Sequence, residues 1–324
     1  MLSKLGAYAH GLARNTDPWT NVYGLARTLI ASASALTLSI NDARVFFRPY
    51  SGSLTYPNCE GTLSLFCTVP NDFTYLNLIR WLCVIGLLVI ASGWRPRITG
   101  ILHFWIAYSF NVSALTLDGG EQVTTVLTFL LLPITLTDPR KWHWQKNKPV
   151  DTLSDARITK RLIAIVTFHA IRFQVAILYF HSTIAKLFEP TWLDGTAVYY
   201  YLTDPMLGLP PFFLRLVDPV LTSPAVVIPT WGTLILQSFL FGALFSPKKH
   251  WKFYLTAALL LHELIAIMLG LISFSIIMSA ALILYLVPFE YQLRPFKTFR
   301  FSFKKTPDLE QELASSGKGV STMQ

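Results

Sequence analysis

The stretch YFHSTIAKLFEPTWLDG occupies residues 179–195 and closes an apolar run that begins at residue 162. A run of this length is typical of a transmembrane helix, because about 20 residues are needed to cross the hydrocarbon core. The run ends in a lysine, Lys186. A lysine at this position either reaches water at the membrane surface or is retained because it performs a function. The rest of the sequence bears on that choice.

The composition indicates a membrane protein. Of the 324 residues, 52% are hydrophobic and only 14% are charged, whereas soluble domains carry about 25% charged residues. The sequence predicts an all-α polytopic membrane protein, a bundle of about eight transmembrane helices. The eight predicted spans are 21–40, 75–93, 98–117, 122–137, 162–185, 226–245, 253–268 and 270–289. A ninth apolar segment, 206–221, is interrupted by Pro210 and Pro211, which favours a re-entrant or interfacial segment.

The distribution of basic residues predicts the orientation. With eight spans and a cytoplasmic N-terminus, 20 of the 27 Lys and Arg residues lie in cytoplasmic segments and four lie outside. Cytoplasmic loops of membrane proteins collect Lys and Arg, so we expect a multi-pass protein of the cell membrane with both termini in the cytoplasm. The net charge of +9 is explained by this topology, and no nucleic-acid partner is needed.

Three regions divide the chain. Residues 1–20 place Leu2, Leu5, Ala9 and Leu12 on one helical face, which indicates a cytoplasmic, interfacial helix; an unstructured start is the alternative. Residues 21–305 form the transmembrane domain. Residues 306–324 are polar and poor in aromatic side chains, and we expect a disordered cytoplasmic tail.

Two cysteines lie in the largest predicted outer loop, within YPNCEGTLSLFCTVP. Cys59 and Cys67 face an oxidising compartment and can form a disulfide, which would hold the loop over the site; two free thiols are the alternative. Cys83 lies inside the second span and is expected to be a packing residue.

Polar residues inside the membrane are the candidate functional residues. Arg172, Tyr179 and Lys186 are spaced by seven, so they share one helix face. Glu263 has no basic neighbour on its own helix, so it is either neutral or paired with a cation on another helix. Arg172 is the expected partner by depth, and Arg27 and Arg80 are the alternatives. Such groups either fix helix register as buried ion pairs or line a polar cavity.

No motif of a soluble enzyme is present, and no metal site is predicted: the pair His262–Glu263 lacks the second histidine of a zinc motif. His103, in the third span, is expected to form a hydrogen bond between helices. Arg27, near the start of the first span, is expected to extend back to the membrane surface.

The segment YFHSTIAKLFEPTWLDGTAVYYYL, residues 179–202, resembles the HTTM family, the membrane domains related to vitamin K-dependent gamma-carboxylase. Within that family, the segments NVYGLAR, LDGGEQV and LTDPRKWHW resemble the sporulation-delaying protein B group. The matching positions are Arg27, Gly119-Gly120-Glu121, Tyr179-Phe180, Ser182 to Ala185, Lys186-Leu187, Trp192, Gly195 and His262.

The resemblance implies a bacterial membrane protein that helps to mature a secreted peptide toxin. Lys186 falls on the base lysine of the carboxylase, although one extra residue separates it from Trp192. Vitamin K chemistry is not carried over, and the cofactor stays unknown.

These observations lead to two functional hypotheses. In the first, the protein assists maturation or export of an exported peptide together with partner proteins, at an outward-facing site. Lys186 and His181 are its candidate catalytic residues, and Arg172, Tyr179, His262, Glu263 and Trp192 are expected to line it. Partial loss of hydration favours a neutral amine, which is the form that acts as a base. In the second, the protein is a non-enzymatic scaffold, immunity factor or transporter-like helper, and the same charges serve packing.

Overall fold

Helices form nearly all the regular structure. The computed structural model describes residues 2–49, 56–115, 117–147 and 153–293, and within these ranges there is no β-strand. The helices are α1 (Leu2–Asn15), α2 (Asn21–Ile40), α3 (Ala43–Phe46), α4 (Phe73–Ser92), α5 (Pro96–Ser113), α6 (Gly119–Thr137), α7 (Asp155–Leu187), α8 (Pro190–Leu193), α9 (Ala197–Thr203), α10 (Pro211–Leu221), α11 (Val227–Gly242), α12 (Trp251–Leu269) and α13 (Ile272–Leu286). Contacts group residues 1–292 into one unit and 293–324 into another; the predicted tail 306–324 lies outside the described residues.

The protein is a helical membrane protein. Each of the eight predicted spans contains a helix, and five helical segments are long and apolar enough to cross a membrane: Phe73–Ser92, Gly119–Thr137, Asp155–Leu187, Pro224–Phe245 and Lys248–Leu269. The helix predicted at 162–185 is longer than expected, because α7 has 33 residues. Its length of about 50 Å exceeds the hydrocarbon core of about 30 Å.

Two helices, α2 and α13, are largely buried between others. α2 packs against α4 and α13, and α13 also contacts α6, α7 and α12. The face of α2 that meets these helices is buried, so it can contain a charged residue away from lipid. The expectation that Arg27 extends to the membrane surface is wrong: its side chain is fully buried, and Nη2 donates to Thr99 Oγ1 at 2.7 Å.

A buried ion pair connects the start of α2 to the segment after α6. Asp138 and Arg140 pair at 2.8 Å with almost no exposure. Tyr23 donates its hydroxyl to Asp138, and the Arg140 guanidinium donates to the carbonyl oxygens of Gln145, at 2.8 Å, and Thr20, at 3.4 Å. A buried ion pair is favourable only when its remaining polar atoms form hydrogen bonds. The bonds with Tyr23, Gln145 and Thr20 meet this requirement. The network fixes how the start of α2 packs against the segment that follows α6.

His143 packs between two glycines of different helices. A Cβ at Gly24 would lie 3.0 Å from the His143 ring, and a Cβ at Gly93 would lie 2.4 Å from it. Burial lowers the pKa of His143 to about 2, with the charges of Arg27 and Arg140 acting in the same direction. The ring is therefore neutral at physiological pH. It fits between the two backbones because neither glycine has a side chain.

The loop before α4 contains the predicted disulfide. The structure joins Cys59 to Cys67, and Cys83 is a buried free cysteine. Residues 65–67 form a short 3-10 helix against α4 and α5. Ser113 donates to Ser64 Oγ at 2.6 Å, which attaches the loop to α5. None of the described residues of this loop lines the cavity around Lys186, and the expectation that the loop covers that site stays a prediction.

Short helices follow α7 on one end of the bundle. The predicted interfacial segment 206–221 contains α10, whose 11 residues are too few to cross a membrane. Phe212, Phe213 and Leu216 on this helix are exposed. At the other end of the unit, α1 packs against α7, where Arg161 donates to the Arg14 carbonyl at 3.0 Å.

The contact between His143 and Gly93 predicts a stability difference between two glycine substitutions. Gly93 and Gly270 both have positive φ, 89° and 71°, so alanine strains both backbones by about 1–2 kcal/mol. Only Gly93→Ala also meets the His143 ring, since nothing lies within 4 Å of a Cβ at Gly270. We expect Gly93→Ala to lower the unfolding midpoint in detergent clearly more than Gly270→Ala. Equal midpoints would contradict the packing of His143.

Candidate functional site

A large cavity lies between α7, α8, α9, α11, α12 and the start of α13. It has a volume of about 410 Å³, within the range of about 300–1,000 Å³ typical of ligand pockets. Leu, Ile, Met, Val and Phe side chains form most of its wall. The hydrophilic side chains that line it are Ser182, Lys186, Thr233, Gln237 and His262, with Trp192 and Tyr201 beside them.

Lys186 is the only charged residue in the described lining. It lies in the last turn of α7, where a cation interacts favourably with the helix dipole. Its Nζ donates to Ser182 Oγ at 2.7 Å, one helical turn earlier, and Ser182 in turn donates to Gln237 Oε1 at 3.4 Å. Among the described residues, no carboxylate lies within ion-pair distance of Lys186. The ammonium is therefore held inside the cavity without a counter-charge.

Trp192 provides the surface on which Lys186 rests. The Lys186 Nζ lies 5.3 Å from the centre of the Trp192 ring, a cation–π contact. Trp192 belongs to α8, and Gly195 follows with a φ of +84°. A Cβ at Gly195 would lie 2.7 Å from Val227 Cγ2, so glycine permits the close approach of this turn to α11. Trp231 then donates its indole N–H to the Trp192 carbonyl at 3.2 Å.

A buried hydrogen bond supports the inner end of the cavity. The Tyr179 hydroxyl and His262 Nε2 are 3.1 Å apart, and both residues are almost completely buried. Tyr179 does not line the cavity, but it orients the histidine that does. The second ring nitrogen of His262, Nδ1, has no hydrogen-bond partner among the described residues. That atom is itself buried, so the ring meets the cavity through its other atoms.

The structure separates Arg172 from this cavity. Arg172 lies 14 residues before Lys186, which is about 21 Å along the helix axis. Its guanidinium stacks on the rings of Trp251 and Phe289 at 4.8 and 5.2 Å and donates to the Val287 carbonyl at 3.3 Å. The seven-residue spacing places Arg172 on the same face of α7 as Lys186, but at a different depth in the bundle.

His181 and Glu263 also lie outside the cavity lining. His181 is exposed, because two residues beyond Tyr179 correspond to a rotation of about 200° around the helix. Glu263 is exposed as well and accepts a hydrogen bond from Ser275 at 3.2 Å. The expected ion pair between Glu263 and Arg172 is wrong.

Sequence reasoning did not propose three hydrophilic residues of the lining, Ser182, Thr233 and Gln237. A glutamine inside an apolar span is a signal that was available, since such residues usually face the bundle interior. Ser182 is one turn before Lys186, the spacing that brings side chains together on a helix. In the described part of the chain, no group of His, Cys, Asp and Glu could hold a metal ion.

The geometry allows two kinds of chemistry. An ammonium without a counter-charge can bind an anionic group, and the same amine in its neutral form can accept a proton. Lys186 and His262 line one cavity, yet no hydrogen bond joins them. A bound molecule would have to lie between them for the two residues to act together.

Two proteins of Bacillus subtilis (strain 168) are similar to this chain over most of their length. The uncharacterized protein YitO is 54% identical over 274 residues, which cover 85% of this chain and 87% of YitO. The sporulation-delaying protein SdpB is 36% identical over 279 residues, 86% of this chain and 84% of SdpB. No family model matches the chain, and no solved structure matches it. The kinship with the HTTM family therefore stays a prediction, whereas similarity at this level over this length shows that the chain belongs to the family of SdpB and YitO.

Proposed function

We propose that the protein assists maturation or export of an exported peptide, and that the cavity around Lys186 receives an apolar segment of that peptide. The observation that carries the proposal is the single unpaired ammonium inside an otherwise apolar cavity of about 410 Å³. Apolar walls bind apolar side chains, and the ammonium binds a carboxylate or a polarised carbonyl. The name of the relative SdpB, a sporulation-delaying protein, supports this context.

Lys186 is the proposed catalytic base or binding amine of this site. An enzyme needs a second titratable group near its base, and His262 lines the same cavity. The resemblance to the carboxylase, in which a lysine starts the chemistry, also supports a base. If Lys186 had only a structural role, we would expect its side chain to be packed tightly against other residues, as the Arg172 guanidinium is packed against two aromatic rings. The proposal also includes partner proteins that act in the maturation of the peptide, because the chain resembles the sporulation-delaying protein B group.

The proposed topology has eight spans in the cell membrane and both termini in the cytoplasm. Basic residues support it, since 20 of the 27 lie in the segments that this topology makes cytoplasmic. The three helices that are shorter or less apolar, α2, α5 and α13, are then also counted as spans. α2 and α13 lie largely between neighbouring helices, whereas α5 exposes Ile98, Ile101 and Trp105. In this topology the Lys186 cavity opens towards the outer leaflet, where an exported peptide arrives.

Replacement of Lys186 distinguishes two roles for this residue, a catalytic base and a positive charge that only anchors the helix at the membrane surface. Arginine keeps the positive charge but stays protonated, so we expect Lys186→Arg and Lys186→Ala both to abolish release of the dependent peptide. Expression and membrane insertion should be unchanged. The measurement is mass spectrometry of peptides in the culture medium, compared with a deletion strain. Lys249→Arg, at an exposed position, is the matched control. Full activity of Lys186→Arg would show that only the charge is needed.

Single cysteines test the proposed orientation. In a background without Cys59, Cys67 and Cys83, Met206→Cys and Lys249→Cys place one thiol at each end of the bundle, both at exposed positions. An impermeant thiol reagent applied to intact cells should label the first variant, and it should label the second only after permeabilisation. The reverse pattern would overturn the orientation.

A further inference from the structure

A second polar site lies in the other half of the bundle, away from Lys186. A small cavity between α2, α4, α5 and α6 is lined by Ser34, His103, Ala107, Glu121 and Thr124 together with apolar side chains. All five named residues are buried. None of them lines the Lys186 cavity, which is formed by different helices. The two sites are therefore separate in structure.

Three polar atoms in this lining lack hydrogen-bond partners. They are His103 Nε2, Glu121 Oε2 and Thr124 Oγ1, and each belongs to a residue that is at least 95% buried. Unpaired polar atoms in an apolar interior are strongly unfavourable, and most buried polar groups in proteins are satisfied by protein or by ordered water. His103 was expected to form a hydrogen bond between helices, but its Nε2 instead joins this unpaired set.

The size of the cavity restricts what can satisfy these atoms. Its volume is about 10 Å³, which is about the space that one water molecule needs, and a buried water typically forms two to four hydrogen bonds. The lining supplies both acceptors and donors, because carboxyl oxygens accept while hydroxyl and imidazole groups do either. A larger organic ligand cannot enter.

The charges around the cavity disfavour an ion. Arg27 binds Thr99, which lies one helical turn before His103 on the same face of α5. Its positive charge opposes a cation near the histidine, and the described lining offers few oxygen ligands of the kind that metal ions need. The Glu121 carboxyl opposes an anion. A small, neutral molecule that forms hydrogen bonds fits both the size of the cavity and the charges around it.

We infer that this cavity binds one ordered water molecule, hydrogen-bonded to the unpaired atoms of Glu121, Thr124 and His103. The site is an internal hydrated centre that joins α5 to α6 and places a carboxyl and an imidazole in contact with the same water-filled space. It is independent of the proposed function at Lys186.

Solid-state NMR on the unmodified protein in lipid tests this directly. Magnetisation transferred from water should appear at the Glu121 Cδ, and the signal is assigned by its loss in Glu121→Gln. The Leu127 side chain, buried on the same helix, is the dry reference. Transfer at Glu121 well above that of Leu127 is expected. Transfer no greater than that of Leu127 would overturn the inference.

A cavity-filling variant tests the same site. Ala107→Val adds two methyl groups to the lining, so it should displace the water, remove its NMR signal at Glu121 and lower the unfolding midpoint by about 2–4 °C. Ala185→Val, at an exposed helical position, controls for the helix preference of valine. Two methyl groups would also overpack a dry cavity of this size and lower the midpoint, so the loss of the Glu121 NMR signal is the decisive readout. An unchanged Glu121 signal in a folded Ala107→Val variant would overturn the hydrated site.

Discussion

The hydrogen bond between Tyr179 and His262 joins α7 to α12 across the interior of the bundle. The rotation of α7 that forms this bond also directs Lys186, seven residues later, into the cavity. The bond also orients the ring of His262, which lines the cavity. If α7 rotated by one residue, about 100°, Lys186 would leave the cavity and Tyr179 would lose its partner. The geometry of the site therefore depends on this contact together with the packing of α7 against α6, α11 and α13.

The bundle accommodates its buried cations in different ways. Arg140 has a carboxylate, Asp138, beside it. Arg172 lies between aromatic rings and a carbonyl, and Arg80 donates to the carbonyl of Leu38. Lys186 differs from these arginines because it lines an open cavity. Its polar contacts are one hydroxyl and one carbonyl, and its ammonium lies against one indole ring. This difference is the physical basis for assigning a function to the lysine and a structural role to the arginines.

The sequence predicted the helices well and the partners of the polar residues poorly. Apolar run length determines where a span begins and ends, so the segment 21–40 matches α2. Spacing determines the face of a helix, so the orientation of Tyr179 and Lys186 towards the interior followed from the sequence. The depth of Arg172 and the neighbours of Glu263 did not, because they depend on how separate helices pack. The exposure of His181 was predictable from helix geometry, since it lies about 200° from Tyr179.

A photoreactive amino acid in the cavity wall tests most directly whether the cavity receives a peptide. Met268 lines the cavity, whereas its neighbour Ile267 is 77% exposed and lies outside the lining. Each position is replaced in turn, the cells are irradiated, and the adducts are identified by mass spectrometry. We expect a peptide adduct from position 268 and only lipid adducts from position 267. Lipid adducts alone from both positions would contradict a peptide-binding cavity.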